Sequence, residues 1–247
     1  MTRLLTLVVT AALWPGVAAA QRGITKETFI SGGETRTYYL LVPDAARKSA
    51  PAPLLVLLHG SGRDGKSLMD RWEPLARKEG LVLVGPDARV PEGWRVPDDG
   101  PDFLRDVIQM LRQQLDIDPQ RVYLFGHSAG AGHALAMAVL ESEYFAAVGV
   151  HAGAMHESMF PLIEGAPRKI PIGIWVGTRD ASFPLPVVRA TRDALQAQGF
   201  APELTEIQGH THWYYDRAPA INRQVWTFLR QHALPNPPRY QRHPWSR

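Results

Sequence analysis

Five residues, Gly126-His127-Ser128-Ala129-Gly130, constrain this 247-residue chain more than any other segment. They follow the apolar run Val122-Tyr123-Leu124-Phe125 and precede a breaker-free stretch of alanine, leucine and methionine over 131–140, a pattern that reads as a strand running into a helix. A serine on so sharp a turn adopts strained backbone angles, and the residues two before and two after it must lack side chains. Glycine stands at both places. A glycine-rich turn with an idle serine has the same letters, but the strand before it and the helix after it make Ser128 the candidate nucleophile of a hydrolase. The turn also places the Ala129 amide at a helix N-terminus, where partial positive charge meets a developing oxyanion.

The N-terminus carries Arg3, an apolar stretch over 4–13, a Pro15-Gly16 break and then Ala18-Ala19-Ala20. That order predicts a secretory signal peptide over 1–20, cleaved after Ala20, and an exported protein, periplasmic or secreted. An uncleaved membrane anchor needs a longer apolar span. Cleavage removes one base and no acid, so the net charge of +3 becomes +2, too weak to argue for a nucleic-acid partner. The chain has no cysteine, hence no disulfide framework and no thiolate metal site, and its 45% hydrophobic residues must hold it together by packing.

After the leader, residues 28–42 give two short strand patterns around Ser31-Gly32-Gly33-Glu34, an antiparallel hairpin at the edge of a sheet. Apolar runs at 54–58, 81–84, 146–150 and 170–176, with a further strand at 203–207, alternate with helical stripes. The stripes are Leu68/Trp72/Leu75/Ala76, Phe103/Val107/Leu111/Leu115, a helix over 186–198 and a final one carrying Ile221, Val225, Phe228 and Leu229. This alternation predicts one α/β domain over 21–233, with a mostly parallel, doubly wound sheet, an antiparallel N-terminal edge and no large lid domain. Residues 234–247 are rich in Pro and Arg without periodicity, and read as an irregular C-terminal arm.

A serine nucleophile needs a base, and the base an orienting group. In a doubly wound hydrolase these follow in the order serine, acid, histidine, each on the loop after its own strand. Asp180 ends Gly177-Thr178-Arg179-Asp180 just past the 170–176 strand, while His210 and His212 lie in Gly209-His210-Thr211-His212-Trp213 just past the next strand. The loop His59-Gly60-Ser61-Gly62, after the 54–58 strand, supplies the second oxyanion donor. Ser61 and Ala129 are assigned, with Gly62 as the alternative to Ser61, and His59 reads as a hydrogen-bonding residue beneath the loop.

Leu57-Leu58-His59-Gly60-Ser61-Gly62, the run Ile117-Asp118-Pro119-Gln120-Arg121-Val122-Tyr123 leading into Gly126–Gly130, and Gly177-Thr178-Arg179-Asp180 together resemble the α/β-hydrolase group of esterases that includes polyhydroxybutyrate depolymerases and feruloyl or acetyl xylan esterases. The resemblance covers most of residues 35–232. It implies an α/β-hydrolase fold and a secreted carboxylesterase acting on a small-molecule or oligomeric ester, with catalytic roles on Ser128, Asp180 and a histidine of the 210–212 pair. In that group the base commonly stands three residues after a glycine that ends the strand, the interval from Gly209 to His212, so His212 is assigned and His210 is the alternative.

No cofactor or metal is expected. The His210/His212 pair lacks a nearby third ligand in sequence, and His156-Glu157 is not followed by the second histidine of a zinc-binding helix. His127, His133 and His156 read as surface or packing residues. Trp94 and Trp213 are candidates for an aromatic pocket floor, against the plainer reading that they cover the core, and His151, at the end of its strand, is a candidate for the pocket wall. A noncatalytic binding protein on the same fold, or a serine peptidase or thioesterase, has the same sequence features.

Overall fold

The computed structural model describes residues 23–48 and 51–245; the leader read at 1–20 lies outside them. Eight strands form one sheet in the order β1-β2-β4-β3-β5-β6-β7-β8. The hairpin β1 (Thr25–Ser31) and β2 (Glu34–Leu41) is antiparallel, and β2 joins β4 (Val82–Pro86) antiparallel as well. All further pairings are parallel: β4 with β3 (Ala52–Leu58), then β5 (Ile117–His127), β6 (Ala147–His151), β7 (Ile172–Gly177) and β8 (Glu203–Ile207). The carboxyl ends of β3, β5, β6, β7 and β8 therefore share one edge.

Strand β3 is buried along its whole length, and its side chains divide between two cores. Leu54, Val56 and Leu58 face one core with α3 (Pro101–Gln114), α4 (Ala129–Leu140) and α6 (Leu185–Ala197); Leu55 and Leu57 face the other with α2 (Gly65–Glu79) and α7 (Ala218–Leu229). A strand covered on both faces must be apolar throughout, which explains the uninterrupted run at 54–58.

The helices begin and end for local reasons. Asp64 caps α2, its Oδ1 accepting from the Ser67 amide at 3.0 Å, and Gly80 in the left-handed region stops it. Pro101 opens α3, where a missing amide hydrogen costs nothing. Two short helices, α1 (Asp44–Lys48) and α5 (Pro161–Glu164), and 3-10 turns at Glu157–Met159 and Tyr214–Asp216 carry no sequence periodicity, being shorter than the pattern needs to show.

Residues 234–245 contain no strand or helix and lie along the surface. Leu234 is buried and its amide donates to Gln120 O at 2.9 Å. Farther on, the His243 ring meets Glu141 Oε1 at 2.7 Å, and the Gln241 amide donates to Glu141 Oε2 at 3.1 Å. Burial raises the Glu141 carboxyl pKa, and the contact with His243 opposes that rise.

One buried ion pair ties the sheet edge to the loop behind the candidate site. Arg36 of β2 donates to Asp99 Oδ1 at 2.5 Å and to the carbonyls of Asp98 and Asp87 at 3.0 and 3.1 Å. Asp99, fully buried, also accepts from the Arg89 and Arg95 amides, each at 2.9 Å. Removing one partner of such a pair leaves the other charge stranded in low dielectric. Asp99→Ala is expected to lower unfolding free energy by about 3–5 kcal/mol in urea titrations, whereas Arg36→Met with Asp99→Leu costs clearly less. A loss for Asp99→Ala below about 1 kcal/mol, the level of an exposed pair, would show that the ion pair does not hold this loop.

Candidate active site

The turn from β5 into α4 is as sharp as its sequence demands. Ser128 has φ 57° and ψ −119°, a conformation that costs an L-residue about 1–3 kcal/mol and persists only where the surroundings enforce it. Two close approaches do so. A Cβ on Gly126 would lie 2.1 Å from Gly130 O, and one on Gly130 would lie 2.0 Å from Leu58 O, so α4 sits on β5 and β3 at a distance only glycine permits. The Ser128 amide donates to His151 O at 3.1 Å, fixing the turn to β6.

The loops after β7 and β8 bring two more groups to this point. His212 Nε2 lies 2.9 Å from Ser128 Oγ, and its Nδ1 lies 3.0 Å from Asp180 Oδ2. The second oxygen of Asp180, Oδ1, accepts from the Ser182 and Phe183 amides at 2.9 and 2.8 Å. A carboxylate only accepts, so Nδ1 of His212 carries a proton and the bare Nε2 accepts from the serine hydroxyl. Phe183 and His127 flank the His212 ring at 5.8 and 5.1 Å between centroids. His210 points elsewhere: its Nε2 meets His151 Nε2 at 3.1 Å. Of the two candidate bases, the geometry joins His212 alone to both Ser128 and Asp180.

Beside the serine, the loop after β3 is folded on itself. Gly62 N donates to Pro91 O at 2.7 Å and Arg63 N to Gly60 O at 3.2 Å. His59 lies beneath, with Nδ1 donating to Gly60 O at 2.9 Å and Nε2 accepting from Ala88 N at 3.0 Å. Gly62 is thereby spent as an oxyanion donor. Among the described residues, the amides of Ser61 and Ala129 have no acceptor. A Cβ on Gly60 would stand 3.3 Å from Ser128 Cβ, so this loop runs against Ser128.

The two tryptophans occupy different places. Trp94 is partly buried, donates Nε1–H to His59 O at 2.8 Å and stacks on His133 at 5.3 Å, so it braces the loop from behind. Trp213 is 45% exposed and packs on Tyr215 at 4.9 Å, with the Arg63 guanidinium 5.2 Å above its ring. It borders a groove of about 510 Å³ with Arg63, Arg71, Tyr215 and Asp216.

Sequence reading missed a row of histidines under the site. His127 Nδ1 lies 3.0 Å from His151 Nδ1, and His151 Nε2 continues to His210. His151 is fully buried with both ring nitrogens taken by histidines, so it is interior and lines no pocket wall. Burial, reinforced by His212 close by, pushes the His127 imidazole down to about 3; burial also drives His151 well below the usual histidine value and lowers His210. The signal was present in the strand register, because His127 and His151 are the last residues of neighbouring parallel strands and stand opposite one another. Among the described residues, no three His, Cys, Asp or Glu side chains are arranged to hold a metal ion.

Residues 55–247 match the model of the alpha/beta hydrolase family. A poly(3-hydroxybutyrate) depolymerase from Ralstonia pickettii is 22% identical over 223 residues, covering 78% of this chain and 46% of its own length, so the chain spans about half of that relative. Among solved structures, an S-formylglutathione hydrolase from Staphylococcus aureus superposes with a TM-score of 0.70 at 16% identity, over 84% of this chain and 96% of the other. A ferulic acid esterase from Anaeromyces mucronatus does so with a TM-score of 0.66 at 17% identity, over 84% and 90%. With more than half of its residues under the family model and the sheet, turn and loop order described above, the chain belongs to the alpha/beta hydrolase family.

Proposed function

We propose that this protein is a serine carboxylesterase that works through an acyl-enzyme on Ser128. The observation that carries the reading is the unbroken hydrogen-bond line from Ser128 Oγ through the His212 ring to the buried Asp180 carboxylate, at 2.9 and 3.0 Å. Two amides without acceptors, Ser61 and Ala129, flank the nucleophile and serve as the oxyanion hole. Ser128 Oγ attacks the ester carbonyl while its proton passes to His212 Nε2. Negative charge on the carbonyl oxygen meets the two amides, and the alcohol leaves with the proton from Nε2. Water then attacks the acyl group with the same base, releasing the acid and restoring the serine hydroxyl. Asp180 holds the ring in the tautomer that accepts from serine and stabilises the imidazolium.

The fit to relatives acting on hydroxybutyrate and ferulate esters supports a small acyl or hydroxyacyl ester as substrate. The groove bordered by Trp213, the residue after His212, and by Arg63, which follows the loop after β3, is open to solvent and suits a substrate that is not enclosed. Export is part of the same reading. It rests on Arg3, the apolar run and the alanines up to Ala20, and N-terminal sequencing of the protein released from expressing cells is expected to begin at Gln21.

Ser128→Ala is expected to abolish hydrolysis of p-nitrophenyl acetate and butyrate and labelling by a fluorophosphonate, with the circular dichroism spectrum unchanged. Retained turnover in this variant would refute the nucleophile. Asp180→Asn is expected to lower kcat on the order of 10³–10⁴-fold, because the amide favours the wrong ring tautomer. Between the histidines, His212→Ala should eliminate both turnover and labelling, whereas His210→Ala keeps measurable activity; the reverse pattern would transfer the base to His210. A wild-type protein that takes the fluorophosphonate but hydrolyses no ester in a panel of acetyl, feruloyl and hydroxybutyrate esters would point to a different acyl chemistry.

A further inference from the structure

His151 contacts both halves of the site without touching either reacting atom. Its backbone carbonyl accepts from the Ser128 amide at 3.1 Å, while its ring bridges His127, the residue before the nucleophile, and His210, two residues before the base. The bridge has a determined direction. His127 Nδ1 also lies 3.3 Å from the His151 carbonyl, which only accepts, so the proton of His127 is on Nδ1. His151 Nδ1, 3.0 Å away, is then bare, because two N–H groups cannot face each other. A neutral His151 therefore has its proton on Nε2 and donates it to His210 Nε2, which leaves His210 protonated at Nδ1.

We propose that His151 is a positioning residue for the base: the directed chain His127→His151→His210 holds the 208–213 loop and keeps the rings beside His212 uncharged. This rests on the reading of His212 as the base. The loop has few other anchors near the ring. Arg179 N donates to His210 O at 2.9 Å and Gly209 N to Thr178 Oγ1 at 2.9 Å, both securing the loop to β7 rather than to the nucleophile's strand. The histidine chain joins the β5 end, through β6, to the base-bearing loop by a route separate from the Ser128–His212 contact. Its neutrality matters for chemistry as well. His127 lies 5.1 Å from the His212 ring, and a cation there would oppose the imidazolium that forms during each acyl transfer. An extra proton on His151 or His210 would also put two N–H groups face to face and break the chain.

Three substitutions separate positioning from packing. His151→Leu removes both links; His151→Asn keeps a group at the Nδ1 position, toward His127; His151→Gln keeps a donor at the Nε2 position, toward His210. His151→Leu is expected to lower kcat on the order of ten- to a hundredfold with KM nearly unchanged, less than Asp180→Asn because His151 acts on the base only through the loop that bears it. His151→Gln should recover most of kcat and His151→Asn little of it, because only the first restores the link to the base loop. In [15N]histidine-labelled full-length wild-type protein at pH 7, nitrogen shifts are expected to report Nδ1–H for His127, Nε2–H for His151 and Nδ1–H for His210. The downfield His212 Nδ1–H resonance should broaden in His151→Leu and sharpen again in His151→Gln. The proposal is overturned by wild-type kcat in His151→Leu, by equal kcat in the Asn and Gln variants, by a protonated array at pH 7, or by a His212 resonance that none of the variants moves. If the wild type hydrolyses no ester, the catalytic reading fails, and the tautomers and the His212 resonance still decide the role of His151.

Discussion

Everything at this site depends on how closely one helix is pressed onto the sheet. Helix α4 reaches β5 and β3 across Gly126 and Gly130, with hypothetical Cβ atoms only 2.1 and 2.0 Å from backbone oxygens. At ordinary helix-to-sheet spacing the chain would have room to turn gradually, and Ser128 would relax toward allowed angles with its hydroxyl among its neighbours. Close packing forces the left-handed conformation, and that conformation presents the hydroxyl at the sheet edge. The strain of about 1–3 kcal/mol is offset by the burial of α4, whose alanines, Leu135, Met137 and Val139 are almost all inaccessible. The small residues of this helix are thus part of the same device as the serine.

From that fixed point the other groups are placed by topology. Parallel strands put their carboxyl ends at one edge, so the loops after β3, β5, β7 and β8 meet without any long excursion of the chain. What remains is the orientation of flexible loops, and here polar contacts with buried partners decide. Asp180 is oriented by two amides of its own loop, which consume one oxygen and direct the other toward His212. The loop after β3 is held by Pro91, Trp94 and His59, and the segment behind it by the Arg36–Asp99 pair, so a residue on the antiparallel edge supports backbone beside Ser128.

The fold and the loops that bring Asp180 and the 210–212 pair to Ser128 were legible because each rests on a local pattern. Buried strands require apolar runs, a sharp turn requires paired glycines, and the order of loops is the order of the chain. His151 was misplaced for an equally physical reason. A histidine ending a central strand points either into the pocket or across to the neighbouring strand, and only the register, which aligns His127 with His151, distinguishes the two. Sequence spacing contains no register between strands separated by a helix. Likewise, Trp94 and Trp213 are both near the site in the chain, yet one braces a loop and the other borders a groove, a difference set by tertiary contacts alone. Helices α1 and α5 escaped because one turn is too short to show a period.

The histidine row also bears on how His212, the proposed base, is placed in so crowded a setting. Four imidazoles, those of His127, His151, His210 and His212, lie in contact, and in water each would titrate near neutral pH. Were several charged together they would repel one another at 5.1–5.2 Å between ring centroids, and Arg217 beside His210 would add to the repulsion that Asp180 and Asp216 oppose. Burial eases that conflict by favouring the neutral form of three of them, each satisfied by donating to or accepting from the next. His212 differs because it alone has a carboxylate on one nitrogen and a hydroxyl on the other. In the proposed mechanism the positive charge therefore has one place to form, the ring in contact with Ser128.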